Sequence, residues 1–214
     1  MIKKGAVYLA EFMGRQLQVT NNQVEVYSYG LEILLGSIVK FVLLVILALL
    51  LHILSYTMLV LVTFAGFRIL GGGVHLSTYN RCLIVGVALI LALAKLSTLK
   101  VNDSLLIIAF VMVALFAIYT VIRCVPAGTE KKVISNKADR KKQKLETGLF
   151  SVIWMLVFMW FLRNGYSNYS LALILGASGS LFLITPGGYR MMAYLERSLD
   201  QLREGVSGCC QPCR

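Results

Sequence analysis

A histidine and a cysteine stand seven positions apart, His75 and Cys82, in a glycine-rich break between two strongly apolar stretches. The break reads Arg68-Ile69-Leu70-Gly71-Gly72-Gly73-Val74-His75-Leu76-Ser77-Thr78-Tyr79-Asn80-Arg81-Cys82. A thiol attacks a carbonyl carbon only as its thiolate, and imidazole is well suited to move a proton near neutral pH. Together they can cut an amide: sulfur attacks, and imidazole hands the proton to the departing amine. Thiolate supply alone contributes little, since lowering a thiol pKa from ~8.5 to ~7 gains under tenfold, about 1 kcal/mol. Useful catalysis needs ~8 kcal/mol, so positioning, proton transfer and oxyanion stabilisation must supply the rest. Arg68 and the N–H groups of Gly71, Gly72 and Gly73 are candidates for the oxyanion. No carboxylate has an obvious orienting place beside His75, although Glu32 is conceivable. One histidine and one cysteine make half of a zinc shell, so no metal or other cofactor is expected.

Geometry sets a condition on this pair. On a continuous helix the two residues would share a face but lie roughly 10 Å apart, too far for a hydrogen bond. They meet only if the chain folds back first. Three glycines supply the backbone freedom, and Ser77 or Thr78 can cap a following helix. Cys82 then falls in or just past its first turn, where the helix amino terminus and Arg81 both favour thiolate.

The flanking elements read as membrane helices. The 214 residues are 58% hydrophobic, above the 45–50% usual for soluble domains, which calls for lipid contact. Six apolar spans are expected, at about 33–51, 53–70, 82–96, 105–122, 149–162 and 169–184, in an all-α polytopic fold. About 20 residues cross ~30 Å of hydrocarbon, so the fifth span is short, with roughly 21 Å of apolar length. It crosses if Trp154 or Trp160 sits at the headgroups; four crossings is the alternative. Before the spans, Ile2, Ala6, Leu9, Met13 and Leu17 form one stripe of an amphipathic interfacial helix, and Asn21-Asn22 breaks the pattern. The chain divides into an interfacial segment (1–30), a membrane bundle (31–189) with a basic loop (123–147), and a tail (190–214).

Charge orients the bundle. Net charge is +11, and of 21 basic residues all but Lys40, Lys95, Lys100 and Arg163 fall on one side. The positive-inside rule puts both termini and the His75/Cys82 break in the cytoplasm. The basic loop suffices as a topology signal and can also dock an acidic peptide; anionic lipid and acidic peptide, not nucleic acid, are the partners this placement suggests. Lys40, inside a span, faces a bundle interior or snorkels. No secretory leader is read at the amino terminus, where Glu11, Arg15 and Gln16 interrupt any apolar run. The five cysteines make no disulfide framework, and Cys209, Cys210 and Cys213 read as an unstructured end.

The arrangement Arg68-x-x-Gly-Gly-Gly-x-His75 followed by Cys82, after the second span, resembles the AgrB family. The likeness extends to length, the paired spans and the loop opening Val125-Pro126 with Lys131-Lys132. The family comprises bacterial membrane cysteine endopeptidases that process quorum-sensing peptide precursors. The resemblance implies Cys82 as nucleophile and His75 as its general base and acid. It implies an AgrD-like propeptide substrate, whose acidic tail is expelled and whose core closes as a thiolactone or lactone. Arg68, Lys131 and Lys132 match basic positions that could attract that tail. A homodimer in the bacterial cell membrane is also implied. The rival class is a non-enzymatic peptide exporter or immunity component.

Overall fold

The computed structural model describes residues 2–17, 20–73, 76, 78–126 and 137–208. They form eight helices, with no strand among the described residues. Six helices are long and apolar enough to cross a membrane. The fold is that of an all-α polytopic membrane protein, built as two compact units.

The first unit holds α1 (Ile2–Leu17) and α2 (Asn21–Leu50), which pack on each other. The buried edge of α1 is Ala6, Ala10 and Gly14, four residues apart, while Leu9, Met13 and Leu17 are exposed. The expected stripe is therefore not the packed face. Small side chains bring two helix backbones close, and the larger apolar ones are left for lipid. Nor does Asn21-Asn22 interrupt anything: it begins a helix of 30 residues, ~45 Å, that continues through Gly30. Its start is fixed by Thr20, whose N–H donates to Gln23 Oε1 at 3.0 Å.

The second unit holds α3 (Leu54–Gly71), α4 (Tyr79–Leu96), α5 (Asp103–Arg123), α6 (Lys137–Arg163), α7 (Ser167–Ile184) and α8 (Pro186–Gly208). Helix α7 is central: it packs against each of the others, most extensively α3. Its small residues make that possible. A Cβ on Gly176 would lie 3.0 Å from the Val60 carbonyl oxygen. The core is Phe67, Leu106, Trp154, Phe158, Leu173 and Leu181 with their neighbours. Phe110 stacks on Phe158 at 4.0 Å between centroids, and Trp154 Nε1 donates to the Leu173 carbonyl at 3.2 Å. Trp154 is thus a core residue, not a headgroup anchor; Trp160 is exposed.

Two segments expected to be irregular are helical. Half of the basic loop belongs to α6, whose 27 residues span ~40 Å, so the fifth crossing is not short. Ala138, Arg140, Lys141, Lys142, Gln143 and Lys144 are good helix formers, and Lys142 pairs with Glu146 one turn on at 3.9 Å. Lys144 Nζ donates to the Ile122 carbonyl at 2.8 Å, placing a cation on the carboxyl end of α5. The segment from 190 likewise continues as α8 to Gly208, beyond the turn at Pro186. Proline suits a first helical position, and Gly188 permits the turn: a Cβ there would sit 2.3 Å from the Phe182 oxygen. Cys209, Cys210 and Cys213 lie outside the described residues.

Candidate active site

Helix α3 stops because its last residues are glycine. Gly72 caps it at φ 84° and Gly73 follows at φ 129°, conformations that side-chain-bearing residues rarely adopt. Space demands glycine as well: a Cβ on Gly73 would lie 2.7 Å from Arg68 Nη1, and one on Gly71 2.7 Å from Ile184 Cδ1. The bend thus folds back over its own arginine and against the end of α7. The Gly72 N–H donates to the Arg68 carbonyl at 3.0 Å, so it is already engaged as a helix cap. An oxyanion role for that amide would first have to break this bond.

Arg68 itself is held in the interior. Its Nη1 is buried and finds no acceptor among the described residues. A buried donor without a partner costs ~1–3 kcal/mol, more when charged, so this nitrogen is a standing demand for an acceptor. The guanidinium lies within electrostatic reach of the Cys82 thiol and the Tyr189 phenol. Burial pushes the Tyr189 phenol above its ordinary range, with Arg68 pulling the other way. At neutral pH Tyr189 is therefore a protonated donor beside the cation.

Helix α4 begins at Tyr79 with Thr78 as its N-cap, although the threonine side chain makes no capping bond. Cys82 N donates to the Thr78 carbonyl at 3.1 Å, the first bond of the helical ladder. The thiol is half-buried and packs against Leu76, Leu183 and Met192. Leu76, which lies before α4, belongs to the cluster that Cys82 packs against. His75 lies outside the described residues, as do Lys131 and Lys132.

Arg81, next to Cys82 in sequence, has its ion-pair partners on another helix. It reaches α8, hydrogen-bonded to Asp200 and 4.0 Å from Glu196. Sequence reading missed this partner helix altogether. The signal was present: Met192, Leu195, Glu196 and Asp200 recur at helical spacing, apolar and acidic on one face.

At the other end of the bundle, Ser167 Oγ donates to Asp103 Oδ1 at 2.8 Å and Asn168 Nδ2 to the Thr98 carbonyl at 3.4 Å. A shallow cavity of about 390 Å³ opens there, lined by Tyr56, Lys100, Tyr166, Ser167, Asn168 and Tyr169 among others. Lys95, Lys100 and Arg163 are the basic residues of this end. Arg123, Arg140, Lys141, Lys142 and Lys144 join Arg68 and Arg81 at the Cys82 end.

Comparison with known proteins supplies a family. The family model for Accessory gene regulator B matches residues 6–185. An AgrB-like protein 2 of Clostridium perfringens (strain 13 / Type A) is 23% identical over 163 residues, covering 74% of this chain and 75% of that one. An AgrB-like protein of Clostridium perfringens (strain SM101 / Type A) is 21% identical over 215 residues, covering 94% and 100%. No solved structure gives a significant match.

Proposed function

The chain belongs to the AgrB family, whose place is the agr quorum-sensing system, and from that premise we propose that it is a membrane cysteine endopeptidase. Its substrate is an AgrD-type propeptide, and Cys82 is its nucleophile. The observation that carries this reading is the company Cys82 keeps. It sits at the first hydrogen-bonded turn of α4, in one cluster with Leu76 and within electrostatic reach of Arg68, whose buried Nη1 has no acceptor among the described residues.

In this reading His75, next in sequence to Leu76, takes the thiol proton as Cys82 Sγ attacks the carbonyl before the tail. The tetrahedral oxyanion is the acceptor that Arg68 Nη1 wants, and its charge would be stabilised where water is scarce. His75 then gives its proton to the departing amine, the carbon–nitrogen bond breaks, and the tail leaves. What remains is a thioester between the peptide core and Cys82. A thiol within the core attacks that thioester, forming a thiolactone and returning the Cys82 thiol; a serine hydroxyl would give a lactone. Exchange of one thioester for another is nearly thermoneutral, so a held substrate thiol and an apolar surround favour closure over hydrolysis. Leu76, Leu183 and Met192 provide that surround.

The charge distribution supports a cytoplasmic placing of this end, since the Cys82 end carries most of the cations of the second unit. Lys131 and Lys132 are proposed to meet the acidic tail, on the family resemblance alone. The test is mass spectrometry of Cys82 after incubation with a candidate propeptide. A covalent adduct whose mass lacks the tail is expected; tail cleavage that persists in Cys82→Ala would overturn the assignment.

A further inference from the structure

The helix after the last crossing does more than trail from it. After the turn at Gly188, α8 brings Met192 and Leu195 to the cluster that Cys82 packs against, and Glu196 and Asp200 to Arg81 of α4. Met192 is buried in the cluster that Cys82 also packs against, and Leu195 lies against it too. Tyr194 is 73% exposed. The apolar pair adjoins the thiol's cluster, and the acidic pair meets Arg81. The Arg81 side chain is only 17% exposed, against 56% for Asp200, so the cation is the more enclosed partner.

We propose that α8 is a latch over the Cys82 face of α4, closed by Arg81 onto Glu196 and Asp200 and opened by an acidic peptide that takes Arg81 in their place. The chemistry of the opener follows from what Arg81 now holds, two carboxylates one helical turn apart on a peptide segment. A second such segment is its natural competitor. The cations around this end, among them Arg140, Lys141, Lys142, Lys144, Arg190 and Arg197, raise the local concentration of acidic chains. An ion pair with a half-exposed carboxylate is weak and screened by salt, so it can yield. A closed latch keeps the thiol from stray acceptors until a tail bearing the right charge arrives. The proposal rests on Cys82 as the reactive residue, but it can be read from thiol accessibility with no cleavage at all.

The experiment uses the full chain in lipid nanodiscs, with Cys124, Cys209, Cys210 and Cys213 changed to alanine so that Cys82 is the sole thiol. The rate of alkylation by N-ethylmaleimide is measured. Glu196→Gln with Asp200→Asn should raise that rate at least fivefold. Hexaglutamate should raise it several-fold in the parent and leave the double variant unchanged, while hexalysine changes neither. Arg81→Asp should also accelerate labelling, and adding Asp200→Arg should restore the slow rate. Parent-like labelling of the Glu196/Asp200 variant would overturn the latch, as would equal acceleration by hexaglutamate in both proteins. The exposed carboxylate changes keep the test available should Arg81→Asp not fold. If labelling behaves as stated but no tail is ever released, the endopeptidase reading fails and the latch stands.

Discussion

At one end of the α3–α8 unit the loops close with hydrogen bonds and rings: Ser167 on Asp103, Asn168 on Thr98, Tyr56 against Tyr169 at 5.0 Å. At the other end the helices finish on glycine, a buried arginine and a half-covered thiol. The tyrosine-rich end satisfies its polar groups locally, as an aromatic belt at a membrane surface does. The Cys82 end leaves a guanidinium nitrogen with no acceptor among the described residues and holds Arg81 on two carboxylates of α8. Polar groups meet partners at one end, and at the other a buried donor is left over.

That contrast can be broken by substitution, and the largest effect belongs to Cys82→Ala. Tail release measured by mass spectrometry should fall at least ~10³-fold while membrane insertion and peptide capture persist. Tyr169→Ala at the far end should leave tail release within about twofold. Arg68→Ala comes next, with a fall of ~10²–10³ in kcat, because the oxyanion loses its donor. Arg68→Lys should recover only part of that, since an ammonium lacks the planar fork.

A sharper comparison sets two glycines of positive φ against each other, Gly73 at 129° and Gly165 at 76°. Alanine at either strains the backbone by ~1–2 kcal/mol, visible as a lowered Tm. Around Gly165 the space is open, so activity should survive; around Gly73 a methyl meets Arg68, so activity should fall as well. The smallest effect is that of Tyr189→Phe, which removes a neutral donor beside Arg68 and should slow cleavage by less than ~10-fold. It carries a pH signature. Burial raises the folded phenol above its ordinary value of 10.0, so its contribution to stability is present below that pH and fades as pH climbs through the higher folded value. Loss of Tm under alkali should therefore be shallower in Tyr189→Phe.

The apolar runs made the crossings legible, because length and hydropathy are local properties. What was lost depended on partners. Lys137 to Lys144 reads as a loop by charge, yet these residues extend α6 because lysine, arginine and glutamine are content in a solvated helix. The stripe from Ile2 to Leu17 was periodic enough to predict α1, but periodicity could not say that Ala6 and Ala10 would be its packed edge. At the site, the glycine bend and the first turn of α4 followed from residue type alone. The pairing of Arg81 with Asp200 joins positions 119 apart, a distance no local rule spans.

Helix α7 has a consequence for how the protein is made. Ser170, Gly176, Gly179 and Ser180 offer hydrocarbon little, and over half of the helix is covered by its neighbours. Small side chains let neighbouring backbones approach closely, so α7 settles by packing against α3 and α5. A chain shortened before Ser167 would leave the faces of α3 and α5 that α7 covers without their neighbour.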